Sequence, residues 1–145
     1  MNKIKPMITV KVIFCLPLLL VLLTGFVWYP ANERTVGWDA VTTYSDGDVI
    51  DINIVSIVYN TYMRDITTNV ETLVQATITG TQHAFIFNTR GSYHVGVSSQ
   101  LKLIETGELL DESPISWSDN VEVCQAGNTF GIRYFGVSAN PKGLH

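Results

Sequence analysis

The sequence predicts an all-β fold, with two sheets packed face to face as a β-sandwich. Three observations carry this. After Ala31 the chain breaks into short runs rich in Val, Ile, Thr, Tyr and Phe, separated by Gly, Asn, Asp and Ser at roughly ten-residue spacing. No stretch of that body sustains a helical period. Most runs alternate, so each has one apolar side, and two sheets must bury those sides against each other. The chain of 145 residues has room for one such domain and not for two ordinary ones.

The N-terminal segment reads differently. Lys3, Lys5 and Lys11 flank the apolar run Val12 to Leu23, and Thr24-Gly25 follows it, the layout of an export signal. Leu23 is bulky for a position two before a cut at Gly25. Left uncut, the apolar run continues through Phe26, Val27, Trp28 and Tyr29. That reaches the ~18 residues needed to span a bilayer, with Trp28 and Tyr29 at the interface. Residues 1–31 are thus expected to be a signal peptide or an N-terminal anchor helix. Either way the lysines stay inside and the body is exported, to the periplasm, the cell surface or the medium. Membrane contact is expected only through this segment, and only if it stays uncut.

The elements follow in order. Thr35 to Trp38 is the first run, and a polar loop from Ala40 to Asp51 carries the turn signal Ser45-Asp46-Gly47-Asp48. Ile52 to Met63 is rich in β-branched and aromatic residues. Alternation puts Val55, Ile57, Tyr59 and Thr61 on one face and Ser56, Val58, Asn60 and Tyr62 on the other. Thr72 to Ile78 and His83 to Phe87 are further strands; both Ala84/Ile86 and Phe85/Phe87 are apolar, so the register of the second stays open. Ser92 to Leu103 alternates cleanly, with Tyr93, Val95 and Val97 on one face and His94 on the other, facing solvent. An acidic loop spans Glu105 to Glu112, and Trp117 to Val123 is the next strand, pairing Val121 and Val123 on one face. Thr129 to Phe135 supplies one extra strand before a tail.

Charge and chemistry narrow the function classes. The formal net charge is −4, and with the three N-terminal lysines set aside, Arg34, Arg64, Arg90, Lys102, Arg133 and Lys142 face all thirteen acids. An acidic body argues against nucleic acid or anionic lipid headgroups as partners and suits cations or a basic protein. Of the two cysteines, Cys15 lies in the apolar run and Cys124 is alone in the body, so no internal disulfide is expected. His83, His94 and His145 form no pair with zinc spacing. There is no Gly-x-Ser-x-Gly elbow and no phosphate-cradling glycine loop, so no cofactor is implied. Tyr44, Tyr62, Tyr134 and Phe135 are the candidate exposed binding aromatics.

Four segments in one order resemble the fibronectin type III family, an immunoglobulin-like two-sheet sandwich. Trp38 stands where that family places its core tryptophan, and the following Trp38-to-Gly47 stretch is similar to the family's next loop. Tyr59-Asn60-Thr61-Tyr62 resembles the third strand, and Phe87 to Tyr93 resembles the segment ending in the tyrosine corner. Trp117-Ser118-Asp119-Asn120-Val121 resembles the approach to the last strand. Thr89 replaces the family's usual proline before the corner, and the loop after Leu103 is longer than typical. The resemblance covers about Thr35 to Val123. It implies a domain over 32–125, a C-terminal extension over 126–145, and a core of Trp38, Tyr59, Phe87, Tyr93, Val95, Val97, Val121 and Val123.

The resemblance leaves little room for a first strand. Either Phe26 to Glu33 supplies it, or Thr129 to Phe135 fills the gap; Asn140 to Leu144 also looks like the start of such a strand, belonging to a lost second module or folded back. It further places the loop holding Asp46, Asp48 and Asp51 at the same pole as the loop holding Glu105, Glu108, Asp111 and Glu112. These seven carboxylates are the candidate calcium ligands, since calcium takes six to eight oxygens. Against that, Ile50 occupies the next ligand place after Asp48, and solvated loop acids are the plainer reading. A small sandwich with convex ends offers no evident catalytic cleft. The expected function is non-enzymatic: an extracytoplasmic binding or spacer module that contacts a protein partner through loops or a sheet edge, with edge pairing also giving homodimers. The alternative is a sugar-binding accessory domain or a small cell-surface hydrolase.

Overall fold

The structure is a computed structural model and describes residues 25–136. The expected signal or anchor run Val12 to Leu23, Cys15, His145 and the Asn140–Leu144 segment lie outside the described residues. Among the described residues no helix is long and apolar enough to cross a membrane.

Two long strands form the spine, and both are rich in β-branched and aromatic residues with no proline to interrupt them. These are β3 (Val55–Asp65) and β6 (Gly91–Leu103), paired antiparallel from Val55↔Leu103 to Asp65↔Tyr93. Outside β3 lies β4 (Glu71–Ile78). The other edge of β6 takes three short pieces in turn: β7 (Leu109–Glu112), β8 (Ser116–Trp117) and β9 (Phe130–Tyr134). Beyond β9, β1 (Val27–Pro30) pairs in parallel, Val27↔Phe130 to Pro30↔Arg133. A second sheet holds only β2 (Glu33–Gly37) and β5 (Gln82–Ile86), antiparallel. The chain therefore crosses between sheets after β1, β2, β4 and β5, a sandwich-like all-β arrangement.

Alternation accounts for part of the burial on the spine. Val55, Tyr59, Thr61, Tyr93, Val95 and Leu101 are buried in the inward row, and Val58, Asn60 and Ser98 on the opposite face are buried too. The open register of the fifth strand resolves with Phe85 and Phe87 inward and Ile86 outward. Phe85, Phe87, Tyr93, Val95 and Ile132 make the main core cluster. Each such side chain contributes about 1.5–3 kcal/mol by leaving water. A second cluster, Ile50, Val55 and Leu101, sits at the other end. At β4 the ladder slips beside Tyr59 and Thr61, and Thr77 adopts φ +58°, rare for a β-branched residue. The Asn60 amide oxygen accepts the Thr77 N–H at 3.1 Å, replacing the bond that the bulge removes.

Several expectations are corrected. The sheet begins at Val27, ahead of the expected boundary at residue 32, and of the candidates for the first strand the Phe26 to Glu33 segment supplies one, with Trp28 and Tyr29 in it. Their neighbours explain this: Tyr29 packs edge-on to Phe130, and Arg34 lies 4.1 Å over its ring. Trp28 covers Gly131, where a Cβ would sit 2.6 Å from its ring. The strand expected over Thr129 to Phe135 is present as Phe130–Tyr134, paired with β6 in the large sheet. Thus Val27–Pro30 and Phe130–Tyr134 pair with each other. Within the expected acidic loop, Leu109–Glu112 is a strand.

The expected strand from Trp117 to Val123 stops at Trp117, and Val121 and Val123 are exposed rather than core. Turn chemistry wins there: the Asn120 side-chain oxygen accepts the Glu122 N–H, and its carbonyl accepts from Val123 and Cys124. The resulting excursion from Ser118 is closed where the Phe130 N–H donates to the Ser118 carbonyl at 2.8 Å. Val97 is half-buried rather than core, and so is Trp38.

Candidate functional site

Two loops meet at one pole because β3 begins beside the end of β6. The Ile104 N–H donates to the Ile54 carbonyl, joining the segment before β3 to the β6–β7 turn. The first loop is shaped by its own aspartates. Asp46 Oδ1 accepts the Asp48 N–H, and Asp51 Oδ1 accepts the N–H and the side-chain amide of Asn53. Asp46, Asp48, Asp51, Glu105, Glu108 and Asp111 are all exposed there. Among the described residues, however, no three His, Cys, Asp or Glu side chains converge as a metal site. What the pole does present is exposed aliphatic surface: Val49 at 79%, Ile52 at 72%, with Ile54, Ile104, Leu109 and Leu110 around half exposed. Ile50 alone turns inward, anchoring the loop on Val55 and Leu101.

Glu112 leaves the acidic set for a structural task on the outer face of the large sheet. Its Oε1 accepts from Ser98 Oγ at 2.7 Å and from Asn60 Nδ2 and Tyr62 Oη at 3.3 Å; its Oε2 accepts from Gln100 at 3.0 Å. These donors, Gln100 first, hold its carboxyl below the usual range.

Further along that face, His94 points away from the core as alternation requires, yet it is covered. Its side chain is 12% exposed, stacked on Trp28 with Phe26 at its edge. His94 Nδ1 lies 3.1 Å from Asp119 Oδ2, which also accepts from Arg64 Nη2 at 2.8 Å. Arg64 lies over the Trp117 ring and Arg133 over Trp28, each 4.5 Å from the centroid. Burial pushes the His94 imidazole down, Asp119 opposes this, and Arg64 adds to it.

A cleft of about 770 Å³ opens between the sheets on the side of β2 and β8. Trp38, Tyr59, Val36, Val97 and Trp117 form its apolar walls, and Ser99, Ser113, Ser116 and Ser118 its hydroxyl-bearing parts. Val123, Cys124 and Asn128 of the excursion line its mouth. The sequence reading missed this cleft. Trp38 packs edge-on to Tyr59 at 5.4 Å, whose hydroxyl accepts the Val41 N–H. Trp38 Nε1 is buried and, among the described residues, has no hydrogen-bond partner. Asp39 is the single carboxylate in the lining, whereas glycoside hydrolysis uses a pair. The Cys124 thiol donates to the Ser118 carbonyl, and burial pushes its pKa up.

Of the expected exposed aromatics, Tyr44 and Phe135 are exposed, while Tyr62 and Tyr134 are half-buried. Compared with family models and with curated proteins, the chain matches none.

Proposed function

We propose that this chain is an exported, non-enzymatic binding or spacer module of the fibronectin type III kind, and that it contacts a protein partner through its loop pole. Several features support the sandwich assignment. β2 and β5 form one sheet, while β3, β6 and the β7–β9 edge form the other, the division found in immunoglobulin-like domains. The Tyr93 hydroxyl donates to the Thr89 carbonyl at 2.7 Å, the geometry of a tyrosine corner.

The observation that carries the functional reading is the exposed aliphatic surface at the pole, interleaved with carboxylates on two hydrogen-bonded loops. Scattered exposed aliphatics are ordinary, whereas a contiguous patch with a polar rim marks an interaction site. The acidic rim selects a partner with basic residues around an apolar centre. A photo-crosslinking side chain placed at Ile52 in the full chain, in an exporting host, is expected to give a discrete protein adduct. One at Val70, in the β3–β4 turn at the opposite end of β3, is expected to give none. No adduct at Ile52, or the same adducts at both positions, refutes the pole as the contact surface.

A further inference from the structure

The two-stranded sheet is the least complete part of the molecule. Trp38 N–H donates to Thr81, and Asn32 accepts from Phe87, so even-numbered residues of β2 bond to β5. By the antiparallel pattern Glu33, Thr35 and Gly37 aim their N–H and C=O groups at the open edge. Among the described residues these groups have no partner. The same edge borders the cleft, through Val36, Gly37 and Trp38. A pair of strands alone is marginal in water, and a third or fourth adds stability.

Two of the other outer strands are guarded, while β5, Gln-His-Ala-Phe-Ile, is open on its far side as β2 is. β4 carries the bulge at Thr77, and β1 ends in Pro30. β2, Glu-Arg-Thr-Val-Gly, has no proline or bulge; its charges, Glu33 and Arg34, are of opposite sign and do not repel in a self-paired register.

We propose that β2 is a self-association edge, pairing antiparallel with β2 of a second copy about a two-fold axis at Thr35. The register is self-complementary. Thr35 faces Thr35, Glu33 faces Gly37 and Arg34 faces Val36, so no like charges stand directly opposite. The product is a continuous four-stranded sheet, β5-β2-β2-β5. Five paired residues fall well short of the ~1,200 Å² buried in a stable interface. The association is therefore weak, and the test must trap it. This inference is independent of the pole, which lies on other loops.

The test is disulfide trapping in the full chain with Cys15→Ala and Cys124→Ser. Paired residues of this kind have Cα atoms about 5.5 Å apart, within disulfide reach. Thr35→Cys is expected to give a covalent dimer under mild oxidation in the exporting host. Ala84→Cys, on the outer face of β5, is expected to stay monomeric. Adding Glu33→Pro to the Thr35→Cys chain removes an outward N–H and keeps the β5 bonds; most of the dimer is expected to disappear. No dimer from Thr35→Cys, equal dimer from Ala84→Cys, or a yield indifferent to Glu33→Pro each overturns the proposal. A mixed disulfide between Thr35→Cys and a different protein likewise overturns it, in favour of a foreign strand.

Discussion

Replacing Tyr93 by Phe isolates one hydrogen bond. The ring is buried, 5% exposed, against Phe87 at 5.1 Å, and Phe keeps that packing. What is lost is the hydroxyl's bond to the Thr89 carbonyl at 2.7 Å. A hydrogen bond is worth about 0.5–1.5 kcal/mol net, and more when its partner is left dry. Thr89 is exposed, so its carbonyl takes water in exchange. The expected cost is therefore about 1 kcal/mol, or roughly 4 °C in Tm for a chain of this size. The assay is paired thermal and urea melts, with the urea slope unchanged so that the midpoint reports stability. Gly91 supplies an internal check. A Cβ there would meet the Tyr93 hydroxyl at 2.9 Å and its ring carbons at 3.0 and 3.2 Å. Gly91→Ala should thus cost less in the Phe background than in the parent, because part of the clash is gone. Equal melting of parent and Tyr93→Phe, or strict additivity with Gly91→Ala, refutes the corner's role.

Glu112→Gln tests the hub on the outer face. It weakens bonds to Ser98 and Asn60, both buried. The expected cost is about 1–2 kcal/mol at neutral pH, reduced from the sum of charged bonds because the carboxylate is exposed. Its depressed pKa means that this stability is present above the ordinary glutamate value of about 4.3 and is lost as pH falls through and below it. Urea midpoints across that range should fall less steeply in Glu112→Gln, and parallel profiles refute the assignment. His94 gives the second pH window. Its folded pKa lies below the ordinary value of about 6.5, so the unfolded chain takes up the proton first. Stability should decline as pH falls below about 6.5, and His94→Phe should remove that decline. An unchanged profile in the variant would show that His94 does not carry it.

The parts of the fold legible in the sequence are those where one local rule suffices. On β3 and β6 the period-two pattern finds the inward row at Val55, Tyr59, Thr61, Tyr93, Val95 and Leu101, while Val58, Asn60 and Ser98 on the opposite face are buried as well, which alternation does not show. Alternation correctly put His94 opposite Tyr93 and Val95, but it says nothing of what covers that opposite face. The cover comes from Trp28 and Arg64, far away in sequence. The strand at Val27–Pro30, one of several alternatives that the sequence leaves open, is ambiguous for a related reason. Phe26 to Tyr29 follow the expected export run after only Thr24-Gly25, and the pairing of Val27–Pro30 with Phe130–Arg133 is a long-range contact that hydropathy does not show. At Val121 and Val123 the two-residue spacing imitated a strand, although Ser118-Asp119-Asn120 just before them is turn chemistry and was the better signal.

The cleft also left a trace in the sequence, visible once the face is known. The inward row of β6 reads Tyr93, Val95, Val97, Ser99, Leu101: large at both ends, with a hydroxyl near the middle. Opposite Val97 and Ser99 stand Thr61 and Tyr59, both carrying polar atoms. A closed sandwich fills such a centre with apolar bulk, because interiors pack to crystal density. Here the core divides into two clusters instead, one around Phe85 and Ile132 and one around Ile50 and Leu101. The side left open is that of β2, whose edge is also unpaired among the described residues. An inner row that turns polar beside a short edge strand thus has a physical meaning. Among the described residues the sandwich stays open on that side, and the proposed β2 pairing would add strands there.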